Sequence, residues 1–305
     1  MEMRNAAHGC VAVIASTLLS MFWPLDCLAD VLEIIKERRY MVIAHREASF
    51  PFSFVDGNGA VRGYSIDLCM QLVDVVRREL KLTELPIRLL PVTSANRITK
   101  IAAHDANLEC GSTTNNAERR KLVDYTIPHF ISASRFLVRS GRNLQSIDDL
   151  REKTVVSTKG TTNLSILRRL NGERNLNMKI EEVAEHSDGF NAVASDKAMA
   201  FAMDDVLLYG LRAAASAPRD FEVMGKAMSI EPYAIMLPKG ESRFKALIDR
   251  EMQRIVLSGE IVAIYKKWFE SPVPPTGVNL ELRMPYALRN SFLFPTSRVN
   301  DWYLD

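Results

Sequence analysis

This sequence is poor in the residue types that usually betray a chemistry. Its 305 residues include only four cysteines and five histidines. It has no surplus of either charge: 39 Lys and Arg stand against 37 Asp and Glu, a formal net charge of +2. Without excess cations to neutralise phosphates, nucleic acid is not expected as a partner. Beyond the N-terminal region the histidines (His45, His104, His129 and His186) are scattered, with no metal-ligand spacing. There is no G-x-S-x-G elbow, H-E-x-x-H pair, P-loop or C-x-x-C motif. No cofactor, metal or catalytic residue is therefore nominated. After residue 29 no stretch is apolar enough for a membrane span, which needs about 20 apolar residues.

What is present is an ordinary globular composition, 47% hydrophobic and 25% charged. The length suggests about two domains. Residues 1–29 read as an export signal. Arg4 supplies the positive start, Val11–Phe22 is the apolar run, Pro24 breaks it, and Cys27-Leu28-Ala29 offers small residues before a cleavage site. Asp26 before Cys27 argues against a lipoprotein signal. A mature, soluble chain is expected to begin near Asp30, carry a charge of +3 and reside in the periplasm. Cys10 and Cys27 would leave with the signal. Cys69 and Cys110 remain, in a compartment that permits a disulfide. Sequence does not show whether their Cα atoms come within about 7 Å, so a bridge and two buried thiols both stay open.

The remaining chain alternates strand and helix patterns, which predicts an α/β fold. Strands are predicted at 40–45, 87–92, 135–139, 154–157, 178–183, 198–203 and 233–237. A hairpin is predicted around the Asp-Gly-Asn-Gly turn at 56–59. Helices are predicted from a Ser65 cap to Leu80, over 96–103, 164–170 and 244–257, from Val206 onward, and from Ser258-Gly259 to Phe269. Pro272, Pro274 and Pro275 close the last of these. A tail follows, with Phe292, Phe294, Trp302 and Tyr303 as aromatic anchors. There is no internal repeat.

Polar turns mark where a ligand could sit. Cys110–Lys121 (CGSTTNNAERRK) places Ser112, Thr113 and Thr114 before a helix start, with Arg119 about one turn in, a candidate anion site. Thr158–Asn163 (TKGTTN) repeats the logic. Thr93–Arg97 (TSANR) is a third polar turn, and Arg46 directly follows the first strand. Met203-Asp204-Asp205 ends an apolar strand, where a carboxylate is placed to meet a cation. The plainer role of capping the next helix suits Asp205 equally well and Asp204 less well.

These motifs occur in a recognisable order: A-H-R-E-x-S-x-P-F-S-F, G-Y-S-x-D, T-S-x-N-R-I, E-C-G-S-T-T-N-N-x-E-R, S-T-x-G-T-T, F-x-M-D-D-x-L-L and K-W-F-x-x-P-x-P-P. From Tyr40 to Pro275 the chain resembles the glutamate/aspartate-binding branch of the periplasmic type II solute-binding proteins, family 3, which serve bacterial ABC importers. The resemblance implies a two-lobed α/β fold with two crossover hinge strands, near Phe130–Arg135 and Ala227–Tyr233. Lobe 1 would comprise 30–131 plus 233–305, and lobe 2 would comprise 132–232. It further implies that Arg119, Ser112 and Thr114 hold an α-carboxylate and Asp204 an α-ammonium. Arg46, Ser94, Arg97 and His186 would surround a side-chain carboxylate, with Thr162 contributing from lobe 2. Relatives pair the cysteine matching Cys110 with one in the segment matching Ala234-Ile235-Met236. Ile235 stands there in this chain, so that pairing is lost.

Arg46, Arg97 and Arg119 against Asp204 amount to a pocket of about +2, which a dicarboxylic amino acid offsets better than a neutral one. The implied function is that of a monomeric, non-enzymatic receptor that closes on L-glutamate or L-aspartate and presents it to the membrane subunits of an ABC permease. Two alternatives share the fold. One is a cyclohexadienyl dehydratase, whose cleft carboxylate would act as general acid or base. The other is a detached ligand-sensing domain.

Overall fold

Asp30 accepts the amide of Leu32 at 2.8 Å, capping a helix that the sequence pattern does not announce. In the computed structural model the described residues are 30–142, 144–273 and 277–297. The expected export signal, Pro274, Pro275, Trp302 and Tyr303 lie outside them. In chain order the first part contains α1 (Val31–Arg38), β1 (Met41–His45), β2 (Ala48–Ser49), β3 (Ser53–Val55), β4 (Val61–Arg62), α2 (Tyr64–Glu79), β5 (Ile87–Pro91), α3 (Arg97–Ala102), β6 (Leu108–Glu109), α4 (Ala117–Arg120) and β7 (Val123–Tyr125). The middle part contains β8 (Phe130–Arg139), β9 (Thr154–Thr158), α5 (Thr162–Glu173), β10 (Lys179–Val183), α6 (His186–Ala194), β11 (Ala200–Asp204), α7 (Asp205–Ala213), β12 (Phe221–Met224) and β13 (Ile230–Tyr233). The chain then returns through β14 (Met236–Pro238), α8 (Ser242–Leu257), α9 (Glu260–Phe269) and α10 (Tyr286–Ser291).

Two main sheets result. The first runs β5-β1-β6-β14-β7, with β1 parallel to β5 and β6, and β14 antiparallel to its neighbours. The second runs β10-β9-β11-β8-β12, its core parallel and β8 antiparallel. These two sheets with their helices form the two-lobed α/β architecture expected above.

β8 is ten residues long, twice the predicted strand, because it serves two ladders. Its first residues pair with β13, and its later ones with β11 and β12. The apolar run 233–237 is not one strand. Tyr233 ends β13 against β8, and Met236 begins β14 in the other sheet, so the chain crosses between sheets at Ala234-Ile235. A nest of aromatic rings stiffens this crossing. Phe52 meets Phe130 at 4.9 Å and Tyr233 at 5.1 Å between ring centres, and Phe269 meets Phe130 at 5.0 Å.

The hairpin turn is present, as β3 and β4, but Ser65 is not a helix cap. Gly63 precedes α2 with φ +145°, and a Cβ there would lie 2.0 Å from the Phe52 carbonyl oxygen. The chain enters the helix at Tyr64, and the Ser65 hydroxyl instead donates to the Gly111 carbonyl at 2.8 Å. Cys69 on α2 and Cys110 at the end of β6 form a disulfide, with Cα atoms 6.3 Å apart. That settles the choice left open by sequence. In the tail Phe292 is buried, whereas Phe294 is 83% exposed and anchors nothing. Among the described residues no helix is long and apolar enough to cross a membrane.

Candidate functional site

The candidate residues sit at the carboxyl ends of parallel strands in both sheets, the edge where open α/β sheets bind ligands. Arg46 follows β1, Ser94 and Arg97 follow β5, and Ser112, Thr114 and Arg119 follow β6. From the second sheet Thr162 follows β9, His186 follows β10, and Asp204 is the last residue of β11. Strand, polar turn and helix start recur after β5, β6, β9 and β10, so local sequence delivers most of these polar side chains to one edge.

The two sets meet. Arg46 is fully buried; its Nη1 donates to Ser94 Oγ at 2.6 Å and its Nη2 to Glu185 Oε2 of the second sheet at 2.6 Å. Arg119 donates to the Thr114 carbonyl at 2.9 Å and, across the cleft, to the Gly160 carbonyl at 3.2 Å. Arg97 donates to the Ser112 carbonyl at 3.2 Å. Burial, reinforced by Arg119, lowers the Arg97 pKa to about 10. His186 is buried with Nδ1 2.9 Å from Thr158 Oγ1. Burial first, then Arg46 and Arg97, push its pKa well below the usual range, so the ring is neutral.

Asp204 occupies the cap position of α7 but makes no cap bond. Its carboxylate accepts from Asn163 Nδ2 at 3.0 Å and from the Tyr233 hydroxyl at 2.5 Å. Burial, followed by the neighbouring charge of Glu231, raises its pKa to about 7. Asp205 is engaged elsewhere, accepting from Ser132 Oγ at 2.7 Å.

Three acidic residues here escape a reading of the sequence. Glu231, on the crossing strand β13, is buried and accepts from the Thr114 and Thr162 hydroxyls, each at 2.7 Å. Both threonine hydroxyls therefore point to Glu231 rather than standing free for a ligand. Glu109 is buried beside Arg97 and accepts from Thr113 at 2.7 Å. Glu185 holds Arg46. The surplus of about +2 counted from the arginines and Asp204 alone is thus corrected, because buried and half-buried carboxylates approach the same cations. Only placement reveals them: Glu231 lies in a strand that looks structural, and Glu185 precedes a helix, α6, that the pattern does not show.

Among the described residues neither Arg97 nor Arg119 forms an ion pair; both donate to backbone carbonyls. Arg46 Nε, Arg97 Nε, Ser112 Oγ and His186 Nε2 are also buried with no hydrogen-bond partner among the described residues. Native proteins leave few such groups, so four on nine candidate residues mark unused binding capacity. A groove of about 840 Å³ is lined by Thr114, Arg119, Gly160, Thr162 and Glu231 among others, while Arg46, Arg97, Ser112 and His186 lie outside its lining. No cluster of three or more metal-ligating side chains occurs among the described residues.

Known proteins resemble the chain over nearly its whole length. The chain is 39% identical over 298 residues to the L-glutamate/L-aspartate-binding protein of Pseudomonas aeruginosa, covering 97% of this chain and 99% of that one. It is 36% identical over 300 residues to the glutamate/aspartate import solute-binding protein of Escherichia coli, covering 98% and 99%. Solved structures with the same fold include an ancestral arginine-binding protein bound to arginine, with TM-score 0.68 and 24% identity over 76% of this chain and 99% of that one. Another is the solute receptor for L-cysteine of Neisseria gonorrhoeae, with TM-score 0.68 and 22% identity over 78% and 92%. Residues 41–271 match the family profile itself, and the chain belongs to the bacterial extracellular solute-binding proteins, family 3.

Proposed function

We propose that this chain is the periplasmic receptor for L-glutamate and L-aspartate of an ABC importer, a monomer that passes its ligand to membrane permease subunits and has no dealings with nucleic acid. Its lobes would be 30–131 plus 233–305 and 132–232, with residues 1–29 removed on export. The observation that carries the ligand class is the pair of buried guanidiniums, Arg97 and Arg119, which donate to backbone carbonyls and form no ion pair among the described residues. A buried unpaired cation costs several kcal/mol, and one dicarboxylic amino acid supplies a carboxylate to each. In this reading Arg119, Ser112 and the turn at Thr114 take the α-carboxylate, and the amide end of α5 at Thr162 closes on it from the other lobe. Asp204 takes the ammonium. Arg46, Ser94, Arg97 and His186 surround the side-chain carboxylate, with neutral His186 presenting Nε2–H when Nδ1 accepts from Thr158.

Ligand contacts from both lobes favour the closed arrangement, which the permease reads. A dehydratase on this fold would need a free cleft carboxylate as acid or base. Asp204, the candidate, is assigned to the ammonium, and the relatives at 36–39% identity are named as binding proteins. Titrating the mature protein with the twenty amino acids in a thermal-shift series tests the proposal. Glutamate or aspartate at a hundred times Kd raises apparent stability by about 2.7 kcal/mol. A shift with neutral or basic amino acids alone, or none at all, overturns it.

A further inference from the structure

Arg46 and Glu185 come from opposite sheets and meet at 2.6 Å. Arg46 follows β1, and its side chain has no solvent exposure. Glu185 caps α6 and its side chain keeps 31% exposure. The Asp188 carboxylate accepts the Glu185 amide at 3.1 Å, so the backbone of this loop is held while the Glu185 side chain borders solvent. With Ser94 on Nη1 and Glu185 on Nη2, two of the three guanidinium nitrogens are occupied from within the protein. Only Nε lacks a partner among the described residues.

We infer that Glu185 is a specificity-determining residue: it is a built-in carboxylate on Arg46 that a ligand's side-chain carboxylate must displace. The inference rests on the proposed acidic-amino-acid site and sharpens it. A ligand with a neutral side chain, such as glutamine, leaves the Arg46–Glu185 pair standing and so keeps the buried cation compensated. Glutamate brings its own carboxylate, releases Glu185 to solvent and gains correspondingly less. Glu185 therefore narrows the gap between dicarboxylic and neutral ligands. With its charge removed, Arg46 is compensated only by a ligand that carries a side-chain carboxylate, and discrimination rises.

The test compares wild type with Glu185→Gln and Glu185→Ser. Glutamine at this position keeps the shape, and serine keeps a capping oxygen for α6 while falling short of Arg46. Calorimetric titration gives Kd for L-glutamate, and displacement of L-glutamate by L-glutamine gives Kd for the neutral analogue. In both variants the ratio Kd(Gln)/Kd(Glu) rises roughly tenfold, equivalent to about 1.4 kcal/mol. A merely structural bridge between lobes would change both constants by the same factor. An unchanged or lower ratio in both variants overturns the inference alone, provided that wild type binds glutamate. Wild type that binds neither glutamate nor aspartate overturns the proposed function and this inference with it.

Discussion

Substituting Gly160 by alanine separates closure of the cleft from stability of the fold. Gly160 follows β9 in the second sheet, with φ +78°, and an added Cβ would stand 2.6 Å from Ser94 O and Ala95 Cα of the first. The left-handed conformation costs alanine about 1–2 kcal/mol whether or not ligand is bound, so it lowers the unfolding midpoint without changing affinity. The clash is different, because it exists only while the lobes are together. Relieving it to ordinary contact opens the approach by roughly 0.8 Å and stretches the 3.2 Å bond from Arg119 to the Gly160 carbonyl beyond hydrogen-bond length. A charge-assisted bond of this kind contributes about 1.5–3 kcal/mol, so glutamate affinity falls about 10- to 150-fold. Gly172 on α5 has open space around it, and Gly172→Ala is the control, gaining up to about 1 kcal/mol of stability with affinity unchanged. Calorimetric titration reads both. A Gly160→Ala protein that binds glutamate within twofold of wild type refutes the idea that the lobes close onto this turn.

Affinity for glutamate also depends on pH through Asp204. With its pKa raised to about 7 by burial and then by Glu231, the ligand-free site holds a proton below that pH, and an incoming ammonium must expel it. Affinity therefore falls with acidification, by roughly 25-fold from pH 7.5 to 5.5. Asp204→Asn binds glutamate at least about 100-fold more weakly and loses this pH dependence, while its melting temperature does not fall. Arg97→Met weakens glutamate binding by a similar factor and lowers the melting temperature of the empty protein as well, since it leaves the buried Glu109 carboxylate without its neighbouring cation. Reducing the Cys69–Cys110 bridge, which spans 41 residues, lowers the unfolding free energy by about 4 kcal/mol in the chain-entropy account, measured by denaturant titration with and without dithiothreitol.

What the sequence carries and what it hides divide along a physical line. Local chemistry is legible: the turns at 93–97, 110–114 and 158–163 lie after parallel strands because strand, small polar residues and helix start are adjacent in sequence. Long-range pairing is not legible. Nothing local says that β8 continues through Phe130 to meet β13, or that the apolar run at 233–237 is divided between two sheets. The same limit applies to charge. Arg46 is visible as a cation after a strand, but Glu185, 139 residues away, becomes its counterion only through the meeting of two sheets. Glu231 looks like one acidic residue in a strand until Thr114 and Thr162 arrive from opposite sides to donate to it. Pairing of Cys69 with Cys110 needed the packing of α2 beside β6, since neither spacing nor composition measures a Cα separation.

The polarity of the bound ligand tests the central claim most directly, and a crystal structure of the mature protein with L-glutamate measures it. The prediction is an α-carboxylate on Arg119, an ammonium on Asp204 and a side-chain carboxylate at Arg46, Arg97 and His186. Glutamate bound outside this cleft, or seated with Asp204 facing no ammonium, contradicts the account.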